Sequence, residues 1–323
     1  MDSQRLRRDD VLHEVLQAIR LRSALYCRAR MSARWGFRTA LRDDARFHFI
    51  TSGRCWVQDD GPDGPILLNQ GDLVILTQGQ SHVMRDDLDS PVEALSSLLE
   101  RHPLDKKKNF VWENGGDSTT MLCGGFRLEE RRANPLLATL PRVLVVRQSE
   151  SAGFSLYSAF KLVEAELAAG NPGSEAIISR ISDAIFLQAI RASFTANHGG
   201  TPPWVRALLH TQIGEALVAM HSRLHEPWTV EALASEAGMS RSAFSSQFRE
   251  LVGEPPMSYL TRWRLNRVAF LLRTSDEKIV AIAHKVGYDS EASLSKAFKR
   301  CFGLSPGAYR RHCVVANDGA KAT

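Results

Sequence analysis

Thr229-Val-Glu-Ala-Leu-Ala-Ser-Glu-Ala-Gly-Met-Ser-Arg-Ser-Ala-Phe-Ser-Ser-Gln-Phe-Arg249 and Ile279-Val-Ala-Ile-Ala-His-Lys-Val-Gly-Tyr-Asp-Ser-Glu-Ala-Ser-Leu-Ser-Lys-Ala-Phe-Lys299 share one layout, and that repetition decides the fold. Each opens with apolar residues at helical spacing and breaks at a glycine followed closely by a serine. A second helix follows, apolar and aromatic on one side, polar on the other. This is the pattern of a helix-turn-helix, whose second helix lies in the major groove of DNA. Two copies in one chain point to a reader of duplex DNA.

Thr229 opens the first helix, with Glu231 in the first turn, where a carboxylate suits the positive end of the helix dipole. Leu233 and Ala234 are expected inside, and small Ala237 and Gly238 permit a tight turn. Ser240 caps the next helix, whose expected buried stripe is Phe244, Phe248 and Leu251. Its outward face carries Arg241, Ser242, Ser245, Ser246 and Arg249. In the second copy Ile279, Ile282 and Ala283 face inward, Gly287 makes the turn and Ser290 caps. Leu294, Phe298 and Phe302 form the stripe, which leaves Glu291, Ala292, Ser295, Lys296 and Lys299 outward. Short polar and basic side chains at the start of such a helix can approach base edges. Between the copies, residues 256–273 read as one long helix. Leu260, Leu265, Val268, Ala269 and Leu272 are its apolar positions and Arg262, Arg264 and Arg267 its charged ones. A rigid connector of this kind would hold both readers on one face of the duplex, roughly 34 Å apart. A plain helical bundle with chance glycine turns accounts for one such motif, not for two in register.

A chain of 323 residues exceeds one typical domain. No apolar run approaches the roughly 20 residues of a membrane helix. Residues 6–22 mix Arg, Asp and Glu with Leu12, Val15, Leu16 and Ile19, an amphipathic helix and not a secretory signal. Cytoplasmic residence is the expectation. From residue 221 onward there are 15 Lys/Arg against 10 Asp/Glu, which accounts for the whole net charge of +5. A local basic excess is the footprint of a phosphate-binding surface, although a solvated charged face would produce the same modest number. The 5 cysteines (Cys27, Cys55, Cys123, Cys301 and Cys313) form no CxxC pair, which argues against a disulfide framework or a zinc ribbon.

Residues 34–146 carry short β-favouring runs: Arg46-Phe-His-Phe-Ile-Thr51, Cys55-Trp-Val57, Ile66-Leu-Leu68, Leu73-Val-Ile-Leu76, Met121-Leu-Cys123 and Val143-Leu-Val-Val146. Turn clusters separate them, which predicts a sandwich or barrel. Polar residues 86–118 read as a long loop. From residue 155 the spacing of Leu156, Phe160, Val163 and Leu167, then Ile177, Ile181, Ile185 and Ala189, predicts an antiparallel helix pair. It is broken at Asn171-Pro-Gly-Ser174, with Ser174 as the cap. Such a pair would complete the β-domain core and offer a dimer seam. The expected segments are therefore a sensor at 1–150, a helix pair at 151–198, a linker at 199–203, a DNA-binding domain at 204–312 and a disordered tail at 313–323.

Ala234-Ser-Glu-Ala-Gly-Met-Ser240, Pro256-Met-Ser-Tyr-Leu260, Arg262-Trp-Arg-Leu265, Ala283-His-Lys-Val-Gly-Tyr-Asp-Ser290 and Phe298-Lys-Arg-Cys-Phe-Gly-Leu-Ser-Pro306 resemble the AraC/XylS transcriptional regulators. The resemblance covers about residues 204–311. It implies one domain whose two motifs enter adjacent major grooves, with Ser242, Ser245, Ser246, Glu291, Ala292, Ser295 and Lys296 facing bases. Where many members have large donors in the first motif, this chain has serines. Phe47-His-Phe-Ile-Thr-Ser-Gly-Arg-Cys-Trp56 and Gly71-Asp-Leu-Val-Ile-Leu-Thr-Gln-Gly-Gln-Ser-His82 resemble the cupin barrels fused to many such regulators. Thr77 stands in place of the usual Pro, and only His48 remains of the first metal motif. That incomplete cage disfavours a dioxygenase-type enzyme.

On the barrel resemblance, His48, His82 and Cys123 lie on three strands, and Cys27 can approach from a fourth direction. Two Cys and two His are an acceptable tetrahedral zinc set, and thiols beside His are also candidates for oxidant sensing. Buried hydrophobic thiols and hydrogen-bonded histidines are the plainer alternative. The combined expectation is an α+β protein: an N-terminal cupin-like β-barrel with a helical extension, and a C-terminal all-α double helix-turn-helix domain. It is a non-enzymatic transcription regulator acting on double-stranded promoter DNA as a homodimer. A small effector or a redox or metal change in the barrel would control it, with RNA polymerase as partner if it activates. The rivals are a cupin-type metalloenzyme and a protein-binding helical adaptor.

Overall fold

The computed structural model describes residues 2–17, 19–113, 115–129, 134–138, 140–150, 156–192 and 203–319. They form two compact units: Leu21–Glu129 with Leu140–Thr201, and Met1–Arg20 with Glu130–Thr139 and Pro202–Thr323. In chain order the helices are α1 (Asp2–Gln17), α2 (Leu95–Arg101), α3 (Pro135–Ala138), α4 (Leu156–Ala169), α5 (Ser174–Ala192), α6 (Pro203–Leu209) and α7 (Thr211–Ser222). They continue as α8 (Val230–Glu236), α9 (Arg241–Val252), α10 (Pro256–Thr274), α11 (Ile279–Lys285), α12 (Glu291–Phe302) and α13 (Pro306–Gly319).

The strands are β1 (Arg20–Ser32), β2 (Gly36–Thr39), β3 (Ala45–Ser52), β4 (Arg54–Asp59), β5 (Ile66–Asn69), β6 (Leu73–Leu76), β7 (His82–Arg85), β8 (Glu93–Ala94), β9 (Asn109–Trp112), β10 (Ser118–Glu129) and β11 (Val143–Val146). They make a six-stranded sheet, β11-β6-β3-β10-β1-β9, and a five-stranded one, β5-β4-β7-β2-β8. β3 is central, antiparallel to both β10 and β6. Because side chains alternate along a strand, its residues divide between two layers. Phe47 and Phe49 face the helix pair, where Phe49 stacks on Phe160 with ring centroids 3.8 Å apart and Phe47 meets Phe126 at 4.8 Å. Arg46, His48 and Ile50 take the opposite, interior side, with Trp35, Phe37, Met84 and Met121 nearby in the core. Both faces of β3 are thus dry, which explains a run of seven buried residues.

The helix pair seals the outer face of this sheet. Phe160, Val163, Ile185, Phe186 and Ala189 are buried, and Phe126 packs against Phe186 at 4.8 Å. Ile177 is 45% exposed, and the buried stripe of α5 instead runs through Ile178, Ser182 and Ile185. Ser174 bonds the Glu166 carboxylate at 2.8 Å, so its side chain serves the α4–α5 junction and does not act as the expected cap. The long loop expected at 86–118 is also corrected. It contains β8, α2 and β9, because buried Leu98 and Phe110 anchor it to the barrel core.

In the second unit α10 is the central spine. Tyr259, Leu260, Trp263, Leu265, Val268, Ala269 and Leu272 are buried along it. Tyr259 accepts a hydrogen bond from Trp204 Nε1 at 2.8 Å and meets His221 Nε2 at 2.7 Å. The N-terminal helix lies earlier than the 6–22 segment suggests: it runs Asp2–Gln17, and Arg20 already begins β1. Its Val11 and Val15 are buried at 4% and 0%, and the Val15 carbonyl accepts from Asn134 Nδ2 at 3.1 Å. α1 and α3 therefore belong to the same compact unit as the C-terminal helices, and not to the 1–150 segment. The tail expected from 313 is helical as far as Gly319. The linker expected at 199–203 lies outside the described residues except for Pro203, which begins α6.

Candidate nucleic-acid interface and thiol site

Two short helix pairs, α8–α9 and α11–α12, flank the spine. Thr229 caps α8 by accepting from Ala232 N at 3.1 Å, and Ser240 and Ser290 cap α9 and α12 through Ala243 N and Ser293 N at 3.3 and 3.2 Å. Such side-chain oxygens satisfy amide donors that a helix start leaves without partners. Both second helices end at glycines in the left-handed region, Gly253 at φ +88° and Gly303 at φ +77°. That conformation is costly for any residue with a Cβ.

Between those ends, residues 241–250 and 291–300 have the same sequence of exposed, half-buried and buried positions. Phe244 and Phe248 are buried where Leu294 and Phe298 are buried. Arg241, Ser242, Ser246 and Arg249 are exposed, as are Glu291, Ala292, Lys296 and Lys299, while Ser245 and Ser295 are half-buried at equivalent places. The expected outward faces are thus outward in both helices. Three apolar assignments shift: Val252 is buried in place of Leu251, and Ile279 and Phe302 are only half-buried. Arg241 is tied back to Glu231 of α8 at 2.9 Å.

Beyond the connecting helix expected from the sequence, one side chain of α10 also joins the two pairs. Arg264 of α10 is half-buried and donates to the carbonyls of Leu224, Glu226 and Gly287 at 3.0, 2.6 and 3.3 Å. One guanidinium thereby fastens the turn of the second motif to the segment preceding the first. A Cβ at Gly287 would lie 2.6 Å from that guanidinium. A cation two turns into an apolar helix was the available signal.

Inside the barrel, strand register assembles the second site. Cys123 on β10 lies opposite His48 on β3, and His82 on β7 lies opposite Thr39 on β2. Cys123 Sγ is 3.2 Å from His48 Nδ1, and His48 Nε2 is 2.8 Å from His82 Nε2. His82 Nδ1 is 3.1 Å from the Gln80 carbonyl and 2.9 Å from the Thr39 hydroxyl. The carbonyl can only accept, so a proton on His82 Nδ1 orients the row. His48 Nε2–H then donates to His82, and the Cys123 thiol donates to His48. Burial holds His48 well below the ordinary imidazole range, helped by His82 and Arg46. Burial likewise brings His82 down to about 4, against the opposing pull of the Gln80 carbonyl. Both rings are neutral at pH 7.

Cys27 on β1 completes the set. Its hydrogen bond with Cys123 lowers Cys27 and raises Cys123 well above the ordinary thiol, so Cys27 ionises first and the single Cys123 proton then turns from His48 to the Cys27 sulfur. Cys27 is half-buried and Cys123 buried. Cys55 is buried in the apolar core, where burial first and Asp72 next push it up, as suits an inert thiol.

The structure brings together all four residues named from the sequence, but not as a metal cage. Zinc requires four donors aimed at one point from about 2.0–2.3 Å. His48 places Cys123 at one ring edge and His82 at the other, so the sulfur and the two Nε2 atoms share no common centre. Among the described residues no three His, Cys, Asp or Glu side chains could hold a metal ion together. The zinc set is therefore corrected to a hydrogen-bonded relay ending in a thiol pair. Beside it lies a cavity of about 200 Å³, lined by Tyr26, Cys27, Phe37, Arg46, His48, Cys123 and others. Arg46 went unnoticed in the sequence, although it stands two residues before His48 and so shares its face.

Two family models match the chain, one in its N-terminal and one in its C-terminal part. A family model described as Cupin matches residues 10–195, and one described as Helix-turn-helix domain matches 233–312. A putative AraC-like transcription regulator of Streptomyces antibioticus is 30% identical over 94% of this chain and 99% of its own length. The HTH-type transcriptional regulator AlkR of Acinetobacter baylyi is also 30% identical, over 94% of this chain and 99% of its own. The RCS-specific HTH-type transcriptional activator RclR of Escherichia coli is 31% identical over 82% of this chain and 84% of its own.

Proposed function

Because the chain belongs to the AraC family of DNA-binding transcription regulators and carries an N-terminal cupin domain, we propose that α9 and α12 read successive major grooves of promoter DNA under control of the barrel. The observation that carries this reading is the matching exposure pattern of 241–250 and 291–300. Ser242, Ser245, Ser246, Glu291, Ala292, Ser295 and Lys296 take the base edges, while Arg241, Arg249 and Lys299 serve the phosphates. The chain acts in the cytoplasm as a homodimer, for which exposed Leu162 and Ile177 on the helix pair are the candidate seam. Dimerisation raises affinity through effective concentration. RNA polymerase is the further partner if the chain activates.

The control is a thiol switch. A two-electron oxidant such as hydrogen peroxide takes two electrons from the pair. Cys27 and Cys123 release two protons, and one S–S bond forms. A half-buried Cys27, lowered by its hydrogen bond with Cys123, supports this assignment, as does similarity to a relative named an RCS-specific activator. The bond cross-links the neighbouring strands β1 and β10 and shifts the population of DNA-binding states to the extent that the two states differ in its cost. Peroxide-treated full-length protein is expected to lose two hydrogens by intact mass and to change its retention on selected operator DNA. Cys27→Ser is expected to do neither. Oxidation without any change in DNA retention would remove the switch and leave the reader intact.

A further inference from the structure

Arg46 serves neither the relay nor the thiol pair. It is 7% exposed, it lines the barrel cavity, and its Nε has no hydrogen-bond partner among the described residues. A buried guanidinium with an open donor is costly unless an acceptor meets it. Asp44, whose carboxylate accepts the Tyr26 hydroxyl, is drawn down by both Arg46 and Arg42, so one carboxylate is shared between two guanidiniums and leaves a positive charge over. Arg42 adds a second guanidinium to the cavity wall. Much of the rest is apolar: Ala29, Met31, Leu95, Leu99, Leu104 and Phe110. Arginine donors against an apolar wall match a ligand with an anionic head and a hydrocarbon body, since a planar fork pairs with carboxylate oxygens two at a time.

We propose that this cavity binds a small monocarboxylate with an apolar body, its carboxylate held by Arg46 with Arg42 and Tyr26 beside it. The inference rests on reading the barrel as a sensor. The cavity volume of about 200 Å³ has room for a small acid such as hexanoate or benzoate. Cys27 lines the same cavity, so an occupied site shields that thiol.

The test titrates the full-length protein with sodium hexanoate and sodium benzoate, with 1-hexanol and inorganic phosphate as controls. At least one carboxylate is expected to bind and to slow alkylation of Cys27. Arg46→Met is expected to weaken that binding by about tenfold or more, the usual loss for a charge-assisted hydrogen bond. If Arg46→Met fails to fold, Arg46→Lys and Arg42→Gln take its place, and both should weaken carboxylate more than hexanol binding. Equal binding of hexanol means a merely apolar pocket, equal binding of phosphate a bare anion hole, and no binding an unused cavity. Each of these overturns the proposal. Operator retention and Cys27–Cys123 oxidation are followed on the same samples. Protein that keeps both but binds no carboxylate retains the sensor reading and loses this inference alone.

Discussion

On α9 and α12 the polar groups proposed to meet DNA stand in water, with Ser242, Ser246, Lys296 and Lys299 exposed over buried Phe248 and Phe298. Inside the barrel the order is reversed: Arg46, His48, His82 and Cys123 are buried, and three of the four are joined by hydrogen bonds. In the first region stability and recognition occupy opposite faces of one helix, so either can change without the other. In the second the same side chains pack the core and form the proposed switch. A surface reader can therefore vary its specificity at small cost, whereas a dry relay must change as a whole.

The sharpest way to break this comparison is to attack the buried face of a reader. Phe248→Ala is expected to cost about 3–5 kcal/mol in denaturant unfolding of the C-terminal unit, as deletion of a buried aromatic does. A loss below about 1 kcal/mol would mean that the helix does not rest on that ring. Charge reversal on the outward face should do the opposite. Arg241→Glu combined with Lys296→Glu is expected to reduce operator affinity roughly hundredfold or more at constant salt, with the unfolding midpoint nearly unchanged. If DNA retention survives, the assigned faces are wrong.

The barrel should respond to acid. The folded-state values of His48 and His82 lie below the free imidazole value, His82 at about 4. The unfolded chain therefore binds more protons, and stability rises with pH across that interval. The contribution is complete above about 6.5 and is lost as pH falls from there toward 4. Thermal unfolding followed between pH 7 and 4 should show the decline, and His82→Gln should flatten it. Unfolding indifferent to pH would mean that the imidazoles are hydrated, against the dry relay. His221, buried beside Tyr259 and brought down by burial to about 3, gives the C-terminal unit one such group. The smallest effect is expected at the caps. Ser240→Ala should cost about 1 kcal/mol with little change in the barrel.

The two regions also differ in how much of them could be read from residue order. Helix caps, glycine turns and apolar spacing act within a dozen residues, so Thr229, Ser240, Ser290 and the outward faces were legible directly. The barrel depends on pairings across long separations. Cys123 meets His48 only through β10–β3 register, and the four-residue set was reached through resemblance, not spacing. Its zinc reading failed because residue type carries no information about which ring edge a partner occupies. β1 was missed because Arg20-Leu-Arg-Ser-Ala-Leu-Tyr-Cys-Arg-Ala-Arg-Met-Ser32 is rich in charge and follows a helical pattern without a break. Leu98 and Phe110 gave order to a stretch whose polar composition suggested a loop. Arg264 escaped because its partners are carbonyls, to which sequence gives no clue.

Groove-by-groove footprinting of the full-length protein on operator DNA selected from random sequence tests the double-reader account most directly. The expected result is protection of two major-groove segments about one helical turn, roughly 34 Å, apart, lost in one segment with Arg241→Glu and in the other with Lys296→Glu. Protection of a single segment, or two segments that both respond to either substitution alone, would contradict it.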